Sequence, residues 1–114
     1  MAEDMASVRH VSPAEAAFAV DGGARMVDVR EGDEWADGHA PAALHVPLGA
    51  VLAGAAVPSG RLVVVCRSGN RSGRAAAALT ERGLDVVNLA GGMNAWRAAG
   101  LPVVRDDGSP GDVA

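Results

Sequence analysis

The one cysteine of the chain, Cys66, lies in VVVCRSGNRSG, residues 63–73. A thiol is a strong nucleophile only as the thiolate, and nearby cations or a helix N-terminus lower the pKa of a cysteine from about 8.5 to roughly 3.5–7.5. Arg67, Arg71 and Arg74 follow Cys66 closely, and they are three of the ten basic residues, all arginines. This grouping favours a nucleophilic cysteine over the alternative, a small buried hydrophobic residue at the end of a strand.

The residues after Cys66 predict a loop that binds negative charge. Gly69 permits a positive φ angle, and either Ser72 or the residue before it is expected to cap the next helix. A loop of this kind turns successive backbone N–H groups inward above a helix N-terminus, which favours a bound anion. The anion expected here is the thiolate, together with any anionic ligand. The residues predicted to form the loop and bind the ligand are Arg67, Ser68, Gly69, Asn70, Arg71 and Ser72.

Alternating strand and helix patterns position this loop. RLVVVC is a continuous apolar run rich in β-branched residues, as expected of a central parallel strand covered on both faces. SGRAAAALTERG predicts the following helix, which Gly83 ends. Further strands are predicted in SVRHVS, RMVDVR, ALHVPL and DVVNL, and further helices in SPAEAAFAV, EGDEWADGH, GAVLAGAAV and GGMNAWRAAG. This order predicts an α/β domain with a mainly parallel sheet, and Cys66 lies at the carboxyl edge, where ligands bind in such sheets.

Composition limits the classes of function and the organisation of the chain. A chain of 114 residues is long enough for one domain. A net charge of −4 and 3% aromatic residues argue against nucleic-acid binding. Without an apolar run long enough to span a bilayer, or a signal peptide, a monomeric cytoplasmic protein is expected. The expected boundaries are a flexible tail at residues 1–7, a domain at 8–104 and a disordered polar tail at 105–114.

Three separated segments resemble the rhodanese family of single-domain sulfurtransferases. They are VDVREGDEWADGHAPAALHVPL, CRSGNRS and NLAGGMNAWRAAGLPV, and the resemblance runs from about residue 8 to 104. It implies a rhodanese-like fold in which a five-stranded parallel sheet lies between helices. It implies that Cys66 accepts a sulfane sulfur to give a persulfide, which the backbone of the loop stabilises. It also implies that Arg30 reaches the sulfonate end of the substrate, and that Asp28 is a structural residue near the site.

The resemblance implies a two-step transfer of sulfur from a small anionic donor such as thiosulfate to cyanide or a thiol, without a metal or organic cofactor. Because the chain has no second cysteine, the acceptor is expected to be an external thiol or another protein. Phosphatase or arsenate reductase chemistry is a less favoured alternative, since it uses the spacing Cys-x5-Arg, whereas Cys66 and Arg71 have the spacing Cys-x4-Arg. A third alternative is a non-catalytic module that binds a partner protein.

Several residues outside the loop have simpler interpretations. The acidic residues 31–37 are interpreted as a solvated face, with a pair between Glu34 and Arg30 as the alternative. Trp35 and Trp96 are predicted to be packing residues. A structural hydrogen bond is predicted for His39.

Overall fold

A computed structural model describes residues 8–113 of the chain. Five strands and five helices alternate along the described residues. The strands are β1 (Arg9–Val11), β2 (Arg25–Asp28), β3 (Ala43–His45), β4 (Leu62–Val65) and β5 (Val86–Leu89). The helices are α1 (Pro13–Asp21), α2 (Gly32–Asp37), α3 (Leu48–Leu52), α4 (Asn70–Glu81) and α5 (Gly92–Ala98). The expected tail at residues 1–7 lies outside the described residues.

The strands form one parallel sheet in the order β1-β5-β4-β2-β3. β4 is therefore the central strand, as its uninterrupted apolar run predicted, and all four of its residues are buried. Leu62 and Val64 belong to the core on one face of the sheet, with the inner side of α4. Val63 and Val65 belong to the core on the other face, with residues of α1 and α5. The predicted α/β fold with a five-stranded parallel sheet is confirmed.

Local sequence signals fix the ends of the elements on either side of the sheet. At the start of α1, the Ser12 hydroxyl accepts a hydrogen bond from the Glu15 backbone N–H, and the Glu15 carboxylate accepts one from the Ser12 N–H. This capping box satisfies two N–H groups that a helix start otherwise leaves unpaired. At the end of α4, Gly83 has a φ of +84°, a conformation that glycine adopts without steric cost.

The C-terminal segment differs from the sequence prediction. Its polar composition predicted disorder for residues 105–114, whereas Gly111 and Asp112 donate backbone hydrogen bonds to the domain. The N–H of Gly111 donates to the Val103 carbonyl, and that of Asp112 donates to the Asp37 carbonyl, both at 2.9 Å. Close approach of two glycines permits this docking, because a Cβ on Gly111 would lie 2.8 Å from the Cα of Gly38. Packing of this kind is not visible in the composition of the segment.

No helix in residues 8–113 has both the length and the apolar character needed to cross a membrane.

Candidate active site

Cys66 directly follows β4 and opens a short loop that ends at the first residue of α4, Asn70. Gly69 is the N-cap of α4 and has a φ of +108°, as the sequence predicted for this position. The loop therefore turns tightly enough to bring its own backbone back over the cysteine. The Cys66 sulfur lies at the carboxyl edge of the central strand and beside the N-terminus of a 12-residue helix.

Two hydrogen bonds reach the Cys66 sulfur from within this loop. The backbone N–H of Gly69 donates to Sγ at 3.0 Å, and the Ser72 hydroxyl donates to it at 3.3 Å. Cys66 is 1% exposed, so little water competes for these bonds. Burial raises the pKa of the Cys66 thiol, but hydrogen bonds from the Ser72 hydroxyl and the backbone of Ser72, Gly69 and Ser68 outweigh it. The pKa of Cys66 is therefore below its ordinary value, which favours the thiolate.

Ser72 has a different role from the one the sequence suggested. The sequence predicts that either Ser72 or the residue before it caps α4, whereas Gly69 occupies the N-cap position. Ser72 is instead the third residue of the helix, fully buried, and its hydroxyl points back to Cys66 and to the carbonyl of Gly69. Because Gly69, in the left-handed region, is the N-cap, Ser72 does not cap the helix and its hydroxyl donates to the Cys66 sulfur.

The N-terminus of α5 supports the loop from the neighbouring strand connection. The Met93 N–H donates to the Cys66 carbonyl at 2.7 Å, and the Asn94 N–H donates to the Arg67 carbonyl at 3.0 Å. Gly92 makes this approach possible, since it has a φ of +56° and a Cβ there would lie 2.6 Å from the Arg67 carbonyl oxygen. Gly92 was not among the predicted site residues, although the GG pair in the third rhodanese-like segment was a signal for close backbone approach.

Asn88 is a second supporting residue that the sequence analysis missed. Its Nδ2 donates to the Gly69 carbonyl at 3.1 Å and lies 3.1 Å from Nδ1 of His10. Asn88 is 2% exposed and sits on β5, next to β4 in the sheet. A polar residue inside an otherwise apolar buried strand, VVNL, was the available signal.

Arg71 is held by an acidic partner rather than left open to a ligand. Its Nη1 and Nη2 atoms donate to the two carboxylate oxygens of Glu34 at 2.6 and 2.8 Å. Hydrogen bonding to Arg71 lowers the pKa of Glu34 to about 2, and the same pair raises the pKa of Arg71. The alternative pair of Glu34 with Arg30 is therefore wrong, because Glu34 on α2 binds Arg71 on α4. The 17% exposure of the Glu34 side chain also shows that α2 is not entirely a solvated face.

Arg30 and Asp28 form a buried pair next to this region. The Arg30 Nε lies 3.0 and 3.1 Å from the two Asp28 carboxylate oxygens, and Nη2 donates to Asp28 at 2.8 Å and to the Gly38 carbonyl at 2.7 Å. Both side chains are fully buried. The structural role predicted for Asp28 fits this geometry. The substrate contact predicted for Arg30 would require this enclosed side chain to become accessible; its Nη1 has no hydrogen-bond partner.

The remaining predicted loop residues lie on the outside of the loop. Arg67, Ser68 and Asn70 are exposed. The backbone N–H of Gly69, by contrast, faces the Cys66 sulfur.

Trp35 organises the histidines near α2. The rings of His39 and His45 are stacked on Trp35, with centroids 3.5 and 4.9 Å from it. His39 Nδ1 is 2.9 Å from the Trp35 carbonyl oxygen, and His45 Nε2 is 2.7 Å from the Arg30 carbonyl oxygen. The packing role predicted for Trp35 and the structural hydrogen bond predicted for His39 are confirmed.

The match to known protein families agrees with this geometry. The family model of the rhodanese-like domain matches residues 12–99. The chain belongs to the rhodanese-like domain family. The resemblance carried by the three sequence segments is therefore confirmed over most of the domain.

Named relatives and solved structures support the same assignment. The rhodanese-like chain is 42% identical over 86 residues to a sulfurtransferase of Allochromatium vinosum, covering 73% of this chain and 80% of that protein. It is 36% identical over 93 residues to the thiosulfate sulfurtransferase GlpE of Pseudomonas paraeruginosa, covering 79% of this chain and 84% of that protein. The crystal structure of a rhodanese-related protein from Thermoplasma volcanium has a TM-score of 0.76 and 28% identity, covering 84% of this chain and 97% of that one. At the level of the family, these matches support a rhodanese-type sulfurtransferase.

Proposed function

We propose that this protein transfers sulfane sulfur through a persulfide on Cys66. The observation that carries the proposal is the pair of hydrogen bonds to the Cys66 sulfur from the Gly69 N–H and the Ser72 hydroxyl. The same groups lower the pKa of the thiol, and we expect them to stabilise the anionic sulfur during the transfer.

The first step is attack by the Cys66 thiolate on the outer sulfur of the donor. With thiosulfate, the S–S bond of the donor breaks and its electron pair leaves on sulfite, so the new Cys66 persulfide carries the transferred sulfur. In the second step, cyanide or a thiolate acceptor attacks the outer sulfur of the persulfide, and Cys66 leaves as the thiolate. This is a covalent two-step mechanism that begins and ends with the same protein.

The acceptor comes from outside the chain, because Cys66 is its one cysteine. Only 1% of Cys66 is exposed, so the donor and the acceptor must reach a sulfur that the loop covers. The ion pair between Glu34 and Arg71 joins α2 to α4 beside this loop.

The test is the intact mass of the wild type and of Cys66→Ser after incubation with thiosulfate and then with cyanide. We expect the wild type to gain the mass of one sulfur atom, to lose it to cyanide and to release thiocyanate. Cys66→Ser is expected to do none of these. Sulfurtransferase activity retained by Cys66→Ser would contradict the mechanism.

Phosphatase chemistry is disfavoured by the same loop. The Cys66-x4-Arg71 spacing is one residue shorter than the spacing that suits a tetrahedral oxyanion, and the Arg71 guanidinium binds Glu34. Hydrolysis of p-nitrophenyl phosphate by a protein that fails to turn over thiosulfate would reverse this choice.

A further inference from the structure

Two of the three arginines expected to bind an anionic donor are already paired with carboxylates, and the third, Arg67, is exposed. Arg71 donates from both terminal nitrogens to Glu34, and Arg30 binds Asp28 while fully buried. Each pair has no net charge, so neither arginine adds a full unbalanced positive charge to the site. Glu34 stays ionised throughout the neutral range, because its pKa is about 2.

The donors that contact the reacting atom are directed at a single sulfur atom. They are the hydrogen-bond donors of Gly69 and Ser72 that reach Sγ, at the N-terminus of α4. Glu31 adds a further carboxylate that acts on Arg71 through its charge. The side of α2 that meets the loop is therefore acidic, while the loop itself accommodates the one negative charge of the thiolate.

The charge of the donor decides how much negative charge must gather next to Glu34. Thiosulfate is a dianion, so its reaction with the thiolate places three negative charges in the site, two of which leave on sulfite. Reaction of the thiolate with a thiol persulfide, R–S–SH, places only one negative charge in the site. The thiolate attacks the outer sulfur, the S–S bond breaks, R–S⁻ leaves, and Cys66–S–SH keeps the proton. Like charges close together in a partly buried site are unfavourable.

We infer that Glu34 determines the donor specificity of this site, by neutralising Arg71 and so favouring sulfane-sulfur donors that carry at most one negative charge, such as thiol persulfides, over the thiosulfate dianion. This inference rests on the proposed sulfur transfer through Cys66. It assigns Glu34 a role in specificity that lies outside the covalent chemistry.

Two donors that differ by one charge give a direct test. Methanethiosulfonate, a monoanion, and thiosulfate, a dianion, both present an outer sulfur bound to an oxidised sulfur. The quantity to measure is the ratio of kcat/KM for methanethiosulfonate to kcat/KM for thiosulfate, with cyanide as acceptor. In Glu34→Gln we expect this ratio to fall roughly tenfold, through faster use of thiosulfate, as estimated for one charge in a partly exposed site. The difference from the wild type should shrink at high salt.

A matched control and the opposite change complete the test. Glu31→Gln removes an exposed carboxylate that makes no hydrogen bond to Arg71 in the structure, and its ratio should change much less than that of Glu34→Gln. Arg71→Gln leaves Glu34 without its ion-pair partner and should raise the ratio. The rate of Cys66 alkylation by neutral iodoacetamide distinguishes an effect on access from an effect of charge. If the substitution only opened the site near α2, Cys66 would react faster with iodoacetamide and with both donors alike.

The outcomes separate this inference from the proposed function. If both donors load sulfur onto Cys66 of the wild type but Glu34→Gln leaves the ratio unchanged, the role of Glu34 is refuted and the sulfur transfer stands. If neither donor loads Cys66, the proposed function fails and the inference fails with it.

Discussion

Removal of the Ser72 hydroxyl perturbs the ionisation of Cys66 without changing the course of the backbone. Ser72→Ala deletes the donor that lies 3.3 Å from Sγ and leaves the Gly69 N–H in place at 3.0 Å. Ser72 is fully buried, so water has little room to replace the lost hydroxyl. The expected result is a higher pKa for Cys66, because the thiolate loses more stabilisation than the thiol does.

The size of the shift follows from the geometry. Hydrogen bonds to charged groups contribute about 1.5–3 kcal/mol. The lower end applies here, because the single hydroxyl hydrogen of Ser72 is shared between Sγ and the Gly69 carbonyl, both at 3.3 Å. One pKa unit corresponds to about 1.4 kcal/mol, so the pKa of Cys66 is expected to rise by about one unit.

The assay is the rate of Cys66 alkylation by iodoacetamide as a function of pH, followed by intact mass. Far below both midpoints the variant has about tenfold less thiolate, but a more basic thiolate is intrinsically more nucleophilic, with a Brønsted coefficient of about 0.4–0.5. The net loss is therefore about threefold at low pH. Above both midpoints, where each protein is fully ionised, the variant should react about threefold faster. The two profiles are expected to cross.

Ser68→Ala is the matched control, because Ser68 acts on Cys66 through its backbone N–H, which the substitution keeps. Its profile should overlay that of the wild type. A Ser72→Ala profile that is slower at every pH, with an unmoved midpoint, would refute the reasoning and indicate damage to the loop instead.

Two further predictions concern the supports of the site. Gly92→Ala should lower the free energy of unfolding by more than about 2 kcal/mol and slow the alkylation of Cys66, because the added Cβ meets the backbone of Arg67. The control Gly100→Ala has a similar φ of +78° but open space around the added Cβ, so it should cost only about 1 kcal/mol in urea unfolding. Equal losses in the two variants would contradict the role of Gly92. Glu34→Gln should lower the free energy of unfolding by about 1–2 kcal/mol at neutral pH, discounted because Arg71 is about one-third exposed. The pKa of Glu34 in the folded protein is about 2, below the ordinary 4.5, so this stabilisation is complete above pH 4.5 and is lost as the pH falls towards 2. The urea unfolding curves of the wild type and Glu34→Gln should therefore converge in acid. A difference in the free energy of unfolding that stays constant with pH would contradict the ion pair.

The strand and helix patterns predicted the fold because they depend on neighbours along the chain. The apolar run of β4 and the helical pattern SPAEAAFAV of α1 are both local signals, and both appear in the structure where the sequence placed them. The position of Cys66 at the carboxyl edge then follows from the direction of parallel strands. These features needed no knowledge of which strands pair with which.

The charge pairs of the site could not be predicted in this way. The i, i+4 spacing of Arg30 and Glu34 suggested a helical pair, but Arg30 precedes the helix, whose N-cap is Glu31. In an extended chain, residues two apart lie on the same face, and this brings Asp28 next to Arg30. Glu34 and Arg71 are 37 residues apart, and they meet because β2 and β4 are neighbours in the sheet.

The cause of the lowered pKa of Cys66 is the largest difference between the sequence expectation and the structure. The cluster of arginines suggested that cationic side chains keep Cys66 charged, on a protein whose net charge is −4. In the structure, hydrogen bonds from Ser72, Gly69 and Ser68 lower the pKa of Cys66, while the charge of Arg71 is neutralised by Glu34. Hydrogen bonds directed at one atom stabilise the thiolate without a surplus of positive charge around it. A site built in this way can be reactive towards sulfur and still reject a highly charged donor, and this is why replacement of Glu34 should change the choice of donor while replacement of Ser72 should change the pKa.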